Sequence, residues 1–153
     1  MSDVLTTILQ ASLPLSMPIL FAAVGEIYAE RSGVLNMGIE GIMTLAGFVA
    51  LYTTFLTGSY PVGVLAAVGA AVALGLLHSF ASVKIGINQL IVGLLLYTMG
   101  GGIADFAYRR VLSTSVPVVR PLPAIDVPYL KDIPSAGPML FQQNAFVYLS
   151  IVV

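Results

Sequence analysis

The sequence predicts an all-α polytopic membrane protein with about four complete transmembrane helices and the start of a fifth. Of its 153 residues, 58% are hydrophobic and 8% are charged, and the mean hydropathy is +1.00. Soluble domains carry about 25% charged residues, so this chain lacks the polar surface that a water-soluble fold needs. Its apolar residues fall in runs of about 20, which is the length that crosses a bilayer core. We therefore expect residues 1–153 to form part of a single transmembrane domain in the lipid bilayer.

Composition also excludes several classes of function. The net charge is −1, so no basic surface indicates a nucleic-acid partner. The chain has no cysteine, which excludes disulfides and thiolate metal sites. Neither of its lysines, Lys84 and Lys131, completes a phosphate-binding P-loop. No catalytic pair or metal-ligand spacing appears, so we predict no catalytic residue, no metal and no enzyme activity.

Residues 4–29 predict the first helix. Pro14 and Pro18 lie inside it and are expected to kink it or interrupt its hydrogen bonds. The segment begins with Asp3 instead of a basic region, and its apolar run continues without a clear cleavage site. We therefore expect a retained helix and not a cleaved signal peptide.

A charge cluster follows the first helix. Glu26, Glu30 and Arg31 are interpreted as structural residues at a solvated helix end on the membrane surface. Ser32 comes directly after them and has the side chain of an N-cap residue. It is predicted to cap the second helix.

Residues 34–56 predict the second helix, whose first half is polar for a membrane span. Asn36, Glu40 and Thr44 recur every four residues, which places them on one helix face. Residues 33–48 also contain four glycines, which permit close approach of a backbone or a ligand. An ionisable group inside a span is by default a functional-site hypothesis. Three interpretations stay open for the three polar residues: wetting at the interface, interhelical hydrogen bonds, or the lining of a pathway.

Residues 62–83 predict the third helix, a run of Ala, Val, Gly and Leu with small residues spaced for close helix packing. Its only histidine is His78. Because no carboxylate or second histidine lies at ligand spacing, we interpret His78 as a hydrogen-bonded residue of the bundle.

Residues 89–108 predict the fourth helix. Asn88 and Gln89 stand at its start, where their amides either cap the helix or line the mouth of a pathway. Asp105 precedes Arg109 by four residues, a favourable spacing for a helical ion pair. That pair is predicted to be structural and to lie near the membrane interface.

Residues 110–142 predict an extramembrane loop, because prolines at this density preclude long helices. The six prolines are Pro117, Pro121, Pro123, Pro128, Pro134 and Pro138. Residues 144–153 are apolar again and predict the start of a helix that the chain leaves incomplete.

The charges in the short connections predict an orientation. Arg31 and Lys84 lie in connections on one side of the predicted bundle, which the positive-inside rule places in the cytoplasm. The N-terminus and the loop of residues 110–142 would then lie outside. Arg109, Arg110 and Arg120 oppose this assignment, although long loops are translocated regardless of charge.

Three stretches resemble a known family of membrane proteins. Residues 26–43 read EIYAERSGVLNMGIEGIM and are similar to a signature of ABC-transporter permeases of the branched-chain amino acid/ribose type. Residues 83–89 (VKIGINQ) and 133–141 (IPSAGPMLF) are similar to two further stretches of that family. The resemblance covers nearly the whole chain. It is to the N-terminal half of permeases for simple sugars and nucleosides.

This resemblance implies a multi-pass subunit of the cell (inner or plasma) membrane. The implied partners are ATP-binding subunits, a second permease subunit in a homo- or heterodimer, and an extracytoplasmic solute-binding protein. No cofactor is expected on this chain, since ATP would be used by partner subunits. The second and fourth helices would help line the solute pathway, with Asn36, Glu40, Thr44, Asn88 and Gln89 as the candidate residues.

Two hypotheses of different classes follow. The leading one is a permease subunit of an ABC importer for nucleosides or simple sugars, which forms part of the solute pathway. The alternative is a non-transporting membrane scaffold or assembly subunit. The two differ in whether an ATP-binding protein copurifies with the chain.

Overall fold

A computed structural model describes residues 2–112, 122–123, 125–126 and 142–152. In chain order the elements are α1 (Ser2–Arg31), α2 (Ile39–Thr57), α3 (Tyr60–Ser79), a π-helix (Phe80–Lys84), α4 (Gln89–Leu112), β1 (Ile125–Asp126), β2 (Gln142–Gln143) and α5 (Ala145–Val152). Within this part of the chain, four helices are long and apolar enough to cross a membrane. The predicted all-α polytopic fold, with four complete spans and a short further helix, is confirmed.

The chain divides into two compact units. The unit Tyr28–Arg120 contains α2, α3, the π-helix and α4, and α2 packs against both α3 and α4. Its small core consists of Ile42, Val92, Leu96, Ala104 and Leu112, all buried. Most other large apolar side chains on these helices are exposed, as expected for surfaces that face lipid.

The other unit combines Met1–Ile27 with Pro121–Val153. In it, β1 pairs antiparallel with β2, with Ile125 opposite Gln143. The next residue, Asn144, directly precedes α5, and its side-chain oxygen accepts a hydrogen bond from the backbone N–H of Val147 at 3.1 Å. This is an ordinary helix cap. Val147 is fully buried.

The long connection after α4 differs from the prediction at both ends. α4 continues to Leu112, so the first three residues of the predicted loop of residues 110–142 are helical. At the other end, Gln142 belongs to β2. Most of the remaining loop, including the family-like stretch 133–141, lies outside the described residues.

The prediction that Ser32 caps the second helix is wrong, because Ser32 ends the first helix instead. The Gly33 N–H bonds to the Glu30 carbonyl at 2.9 Å, and the Val34 N–H bonds to the Ala29 carbonyl at 3.0 Å. This is the paired arrangement of a Schellman motif, which requires a left-handed residue after the cap. Gly33 supplies it with φ 85°, and the Ser32 hydroxyl donates back to the Ala29 carbonyl at 2.7 Å.

The second helix begins at Ile39, five residues later than residue 34, where it was predicted to begin. Asn36 accounts for the difference, because its side-chain oxygen accepts the Gly38 N–H at 3.1 Å. That local bond is an Asx-turn, which competes with helical hydrogen bonding. The first helical bond joins the Ile42 N–H to the Gly38 carbonyl.

The other helix ends follow the sequence closely. α2 stops at Gly58, whose φ of 67° is left-handed and whose N–H bonds to the Thr54 carbonyl at 2.8 Å. Pro61 lies in the first turn of α3. The N–H that proline lacks would have no hydrogen-bond partner within the helix there. α1 continues through both Pro14 and Pro18.

Candidate functional site

The starts of α2 and α4 meet through the side chain of Gln89. Its oxygen accepts a hydrogen bond from the Leu35 N–H at 2.7 Å, and its nitrogen donates to the Gly33 carbonyl at 3.2 Å. The connection between α1 and α2 is therefore tied to the first residue of α4. The end of α1 at Arg31 and the end of the π-helix at Lys84 therefore lie on the same side of the bundle, as the sequence predicted.

Asn88 and Asn36, the two other amide residues among the candidates, accept hydrogen bonds from backbone groups close to them in the sequence. The Asn88 side-chain oxygen accepts the Leu90 N–H at 2.9 Å, and its carbonyl accepts the Val92 N–H at 3.1 Å. Of the two interpretations open for Asn88, helix capping agrees with these bonds. Asn36 lies outside the helix, so the predicted single helical stripe of Asn36, Glu40 and Thr44 is wrong.

Glycines bring α2 and α4 into backbone contact. A Cβ placed on Gly38 would lie 2.9 Å from the carbonyl oxygen of Gly93, and one on Gly93 would lie 3.0 Å from the Gly38 nitrogen. One on Gly41 would lie 2.6 Å from the Cα of Tyr97, and one on Gly100 would lie 2.6 Å from the carbonyl carbon of Gly41. Any side chain at these positions would force the two helices apart.

An open groove lies beside this contact, also between α2 and α4. Its volume is about 340 Å³, in the range of small-molecule sites. Its described walls are mostly apolar or aromatic, with the hydroxyl groups of Thr44 and Tyr108 and the carboxylate of Asp105. The lining residues are Thr44, Gly47, Phe48, Leu51, Gly101, Ala104, Asp105 and Tyr108.

The polar groups of the groove are held by local bonds. The Thr44 hydroxyl donates to the Glu40 carbonyl at 2.8 Å, so its oxygen keeps acceptor capacity toward the groove. Both oxygens of Asp105 accept from the Arg109 Nε, at 3.1 and 3.0 Å. The predicted ion pair is confirmed, and both of its side chains are largely exposed. Phe48 stacks on Tyr52, with ring centroids 5.9 Å apart.

The remaining predicted residues do not join the groove. Glu40 is exposed in the first turn of α2, where a negative charge suits the helix dipole. Glu30 and Arg31 are exposed and Glu26 is half-buried. Their assignment to the membrane surface stays a prediction.

Two features of the site were missed from the sequence. Asp105 lines the groove, although it was interpreted as a structural partner of Arg109, and Tyr108, which was not a candidate residue, lines it too. The spacing of Gly93 and Gly100, seven residues apart, repeats on one face of a helix. That spacing was the available signal for a close contact along α4.

Comparison with known proteins decides the family. Residues 8–140 match the family described as branched-chain amino acid transport system / permease component. The chain belongs to this permease family. With its four apolar helices, it is a multi-pass membrane protein of a transporter family and not of an enzyme family.

Three relatives of this permease family extend the match. A Haloferax volcanii protein named as a candidate glucose ABC transporter permease is 30% identical over 95% of this chain and 44% of its own length. The guanosine ABC transporter permease of Bacillus subtilis is 29% identical over 91% of this chain and 46% of its own. The nucleoside ABC transporter permease of Lactococcus lactis is 28% identical over 90% and 46%.

The chain thus spans a little under half the length of the curated relatives that it matches. No solved structure matches it at a significant level.

Proposed function

We propose that the chain is part of a permease subunit of an ABC importer for nucleosides or simple sugars. In this proposal the groove between α2 and α4 forms part of the solute pathway. The family and the names of the relatives support the transporter class and the two solute classes.

The observation that carries the proposal is the chemistry of the groove. Nucleosides and sugars are neutral and bear several hydroxyl groups, which need hydrogen-bond partners and an apolar or aromatic wall. The groove supplies the Asp105 carboxylate and the Thr44 hydroxyl beside the aromatic rings of Phe48 and Tyr108. A few polar groups on a mostly apolar wall are typical of small-molecule sites.

The roles of the other candidate residues are revised within this proposal. Gln89 positions the start of α4 against residues 33 and 35, and Asn88 and Asn36 shape the starts of α4 and α2. Glu40 lies one helical turn before Thr44, and its carboxylate would hydrogen-bond water at the same end of the pathway. Transport would then depend on Thr44 and Asp105 through solute contact, and on Gln89 through positioning.

The proposed assembly contains ATP-binding subunits, a second permease subunit and an extracytoplasmic solute-binding protein. ATP would be hydrolysed in the partner subunits, and this chain would bind no cofactor. The proposed location is the cell (inner or plasma) membrane, with the connections around Arg31 and Lys84 in the cytoplasm.

Filling the groove tests the proposal. Gly101 lines the groove and has open space around it, so Gly101→Leu is expected to fill the pathway without a backbone clash. Gly102→Leu is the matched control, because Gly102 also has open space but does not line the groove. In the assembled transporter, Gly101→Leu should lose most uptake of labelled guanosine or glucose, whereas Gly102→Leu should retain it.

Both variants must be recovered at the wild-type level of folded complex for this comparison. Equal uptake by Gly101→Leu and wild type would reject the groove as pathway. Recovery of the wild-type protein without any ATP-binding protein would instead favour the scaffold function.

A further inference from the structure

Two polar residues occupy the buried positions of an apolar helix. Between Tyr60 and Val83 the sequence has no charged residue. The buried side chains along this stretch are those of His78, 2% exposed, and Ser82, 8% exposed. Gly63 is also buried but has no side chain. An apolar helix ordinarily buries apolar side chains, so a polar pair in these positions needs a reason.

The polar atoms of both residues lack protein partners. Neither His78 Nε2 nor Ser82 Oγ has a hydrogen bond to any of the described residues, although both atoms are buried. Such groups are expensive to bury and are nearly always paired with protein, water or a ligand. His78 was interpreted as a hydrogen-bonded residue of the bundle, but no protein partner for its Nε2 is found in the described part of the chain.

Ser82 also differs from six other hydroxyl residues on the helices. Their hydroxyls donate to a carbonyl of their own helix three or four residues earlier, as is common for Ser and Thr in membrane helices. These residues are Ser12, Ser16, Thr44, Thr57, Thr98 and Ser150. Ser82 makes no such bond, so its hydroxyl is left for a partner outside its own helix.

A π-helix follows α3 at this point. It begins two residues after His78 and includes Ser82. The Ile85 N–H bonds to the Phe80 carbonyl, five residues earlier, at 3.1 Å. His78 and Ser82 are four residues apart and therefore on the same face, in a segment that contacts α4.

The ligand that fits this pair is small and neutral. The α4 segment 89–104 has no charged residue either, so no counter-charge on these two stretches would hold an ion. Lys84, at the end of the π-helix, is exposed. No group of three metal-ligating side chains exists among the described residues. An imidazole nitrogen and a hydroxyl can each donate or accept a hydrogen bond. A hydroxyl group, which also does both, satisfies the two atoms together.

We propose that His78 Nε2 and Ser82 Oγ form a buried binding site for a single hydroxyl group. The group belongs to a water molecule or to a hydroxyl of a polar solute. The site stands apart from the α2–α4 groove, and its existence does not depend on the proposed function.

Solid-state NMR of the intact protein in phosphatidylcholine vesicles tests this site directly. The protein is labelled with ¹⁵N-histidine, and magnetisation is transferred from water to the imidazole nitrogens. Subtracting the spectrum of His78→Gln isolates the signals of His78 from those of any other histidine. The wild-type Nε2 signal should receive magnetisation from water.

Two serine variants give the matched comparison. A buried water makes about three hydrogen bonds, so Ser82→Ala should weaken the transfer to Nε2 clearly. Ser79→Ala should leave it unchanged, because Ser79 is exposed on the same segment. Equal transfer in Ser82→Ala and wild type would overturn the pairing of the two residues.

Added solute distinguishes the two sources of the hydroxyl. If saturating guanosine or glucose removes the water transfer and shifts the Nε2 signal, the site takes a solute hydroxyl. If the transfer persists, the site holds water. Both results support a hydroxyl site. Absence of water transfer, together with no response to either solute, would assign Nε2 to a protein partner and overturn the proposal.

Discussion

The side-chain oxygen of Gln89 accepts a hydrogen bond from the backbone N–H of Leu35 at 2.7 Å, across 54 positions of sequence. The nitrogen of the same amide donates to the Gly33 carbonyl. One side chain therefore satisfies a donor and an acceptor in a connection that has no regular secondary structure. The end of α1 and the start of α4 are expected to move together when the bundle rearranges.

Replacing Gln89 by Leu should destabilise the protein. The two hydrogen bonds are each worth about 0.5–1.5 kcal/mol net, and the residue is half-buried. We expect the free energy of unfolding to fall by about 1–2 kcal/mol on that basis, measured by thermal or denaturant unfolding in detergent. Thr98→Val is the control, because the exposed Thr98 bonds only to carbonyls of its own helix. Unfolding of Gln89→Leu at the wild-type midpoint would contradict this role.

Alanine at two neighbouring glycines of α4 should have opposite effects. At Gly100 a Cβ meets the backbone of Gly41, which cannot move without separating the helices. Overpacking of this kind costs about 1–3 kcal/mol. At Gly102 a Cβ meets open space, and Ala is favoured over Gly in a helix by up to about 1 kcal/mol. If Gly100→Ala were as stable as Gly102→Ala in the same unfolding assay, the close contact of α2 and α4 would be refuted.

Loss of the Asp105–Arg109 ion pair should matter little for folding. Arg109 is 78% exposed and Asp105 is 62% exposed, and exposed pairs at this helical spacing contribute about 0.3–0.5 kcal/mol. Arg109→Gln should therefore keep the wild-type unfolding midpoint. Asp105→Asn should also fold but should transport labelled guanosine or glucose more slowly, because it removes the one carboxylate among the described residues that line the groove. Unchanged uptake by Asp105→Asn would exclude solute contact at this residue.

The spans could be predicted from the sequence because membrane helices depend on local composition. Long apolar runs located four helices. The spacing of Asp105 and Arg109 is a local signal too, and it gave a correct contact.

The start of α2 was misplaced where two local signals competed. Ser32 has the side chain of an N-cap residue, but Gly33 completes a C-terminal motif of α1 and Asn36 closes a turn before the next helix. Residues 34–38 then continue the apolar pattern without being helical. Hydropathy indicates which residues lie in the membrane and not which residues are helical. The hydropathy pattern therefore did not reveal that α2 begins at Ile39.

The groove could not be predicted because it depends on which faces of α2 and α4 meet. Gly41 and Gly100 are far apart in the sequence, and their contact sets the register of the two helices. That register brings Asp105 and Thr44 to one groove while leaving Glu40 outside it. No periodicity within either helix alone specifies such a pairing.

Cysteine accessibility tests the central claim, that the groove lines a solute pathway, most directly. The chain has no native cysteine, so single substitutions at Thr44 and Val72 can be compared in the same background. Thr44 lines the groove, whereas Val72 is an exposed apolar residue of α3 outside it. A charged methanethiosulfonate reagent, which reacts only from water, should modify Thr44→Cys faster than Val72→Cys, and saturating guanosine or glucose should slow the reaction at Thr44→Cys. Equally slow modification of the two variants, with no effect of either solute, would contradict the pathway.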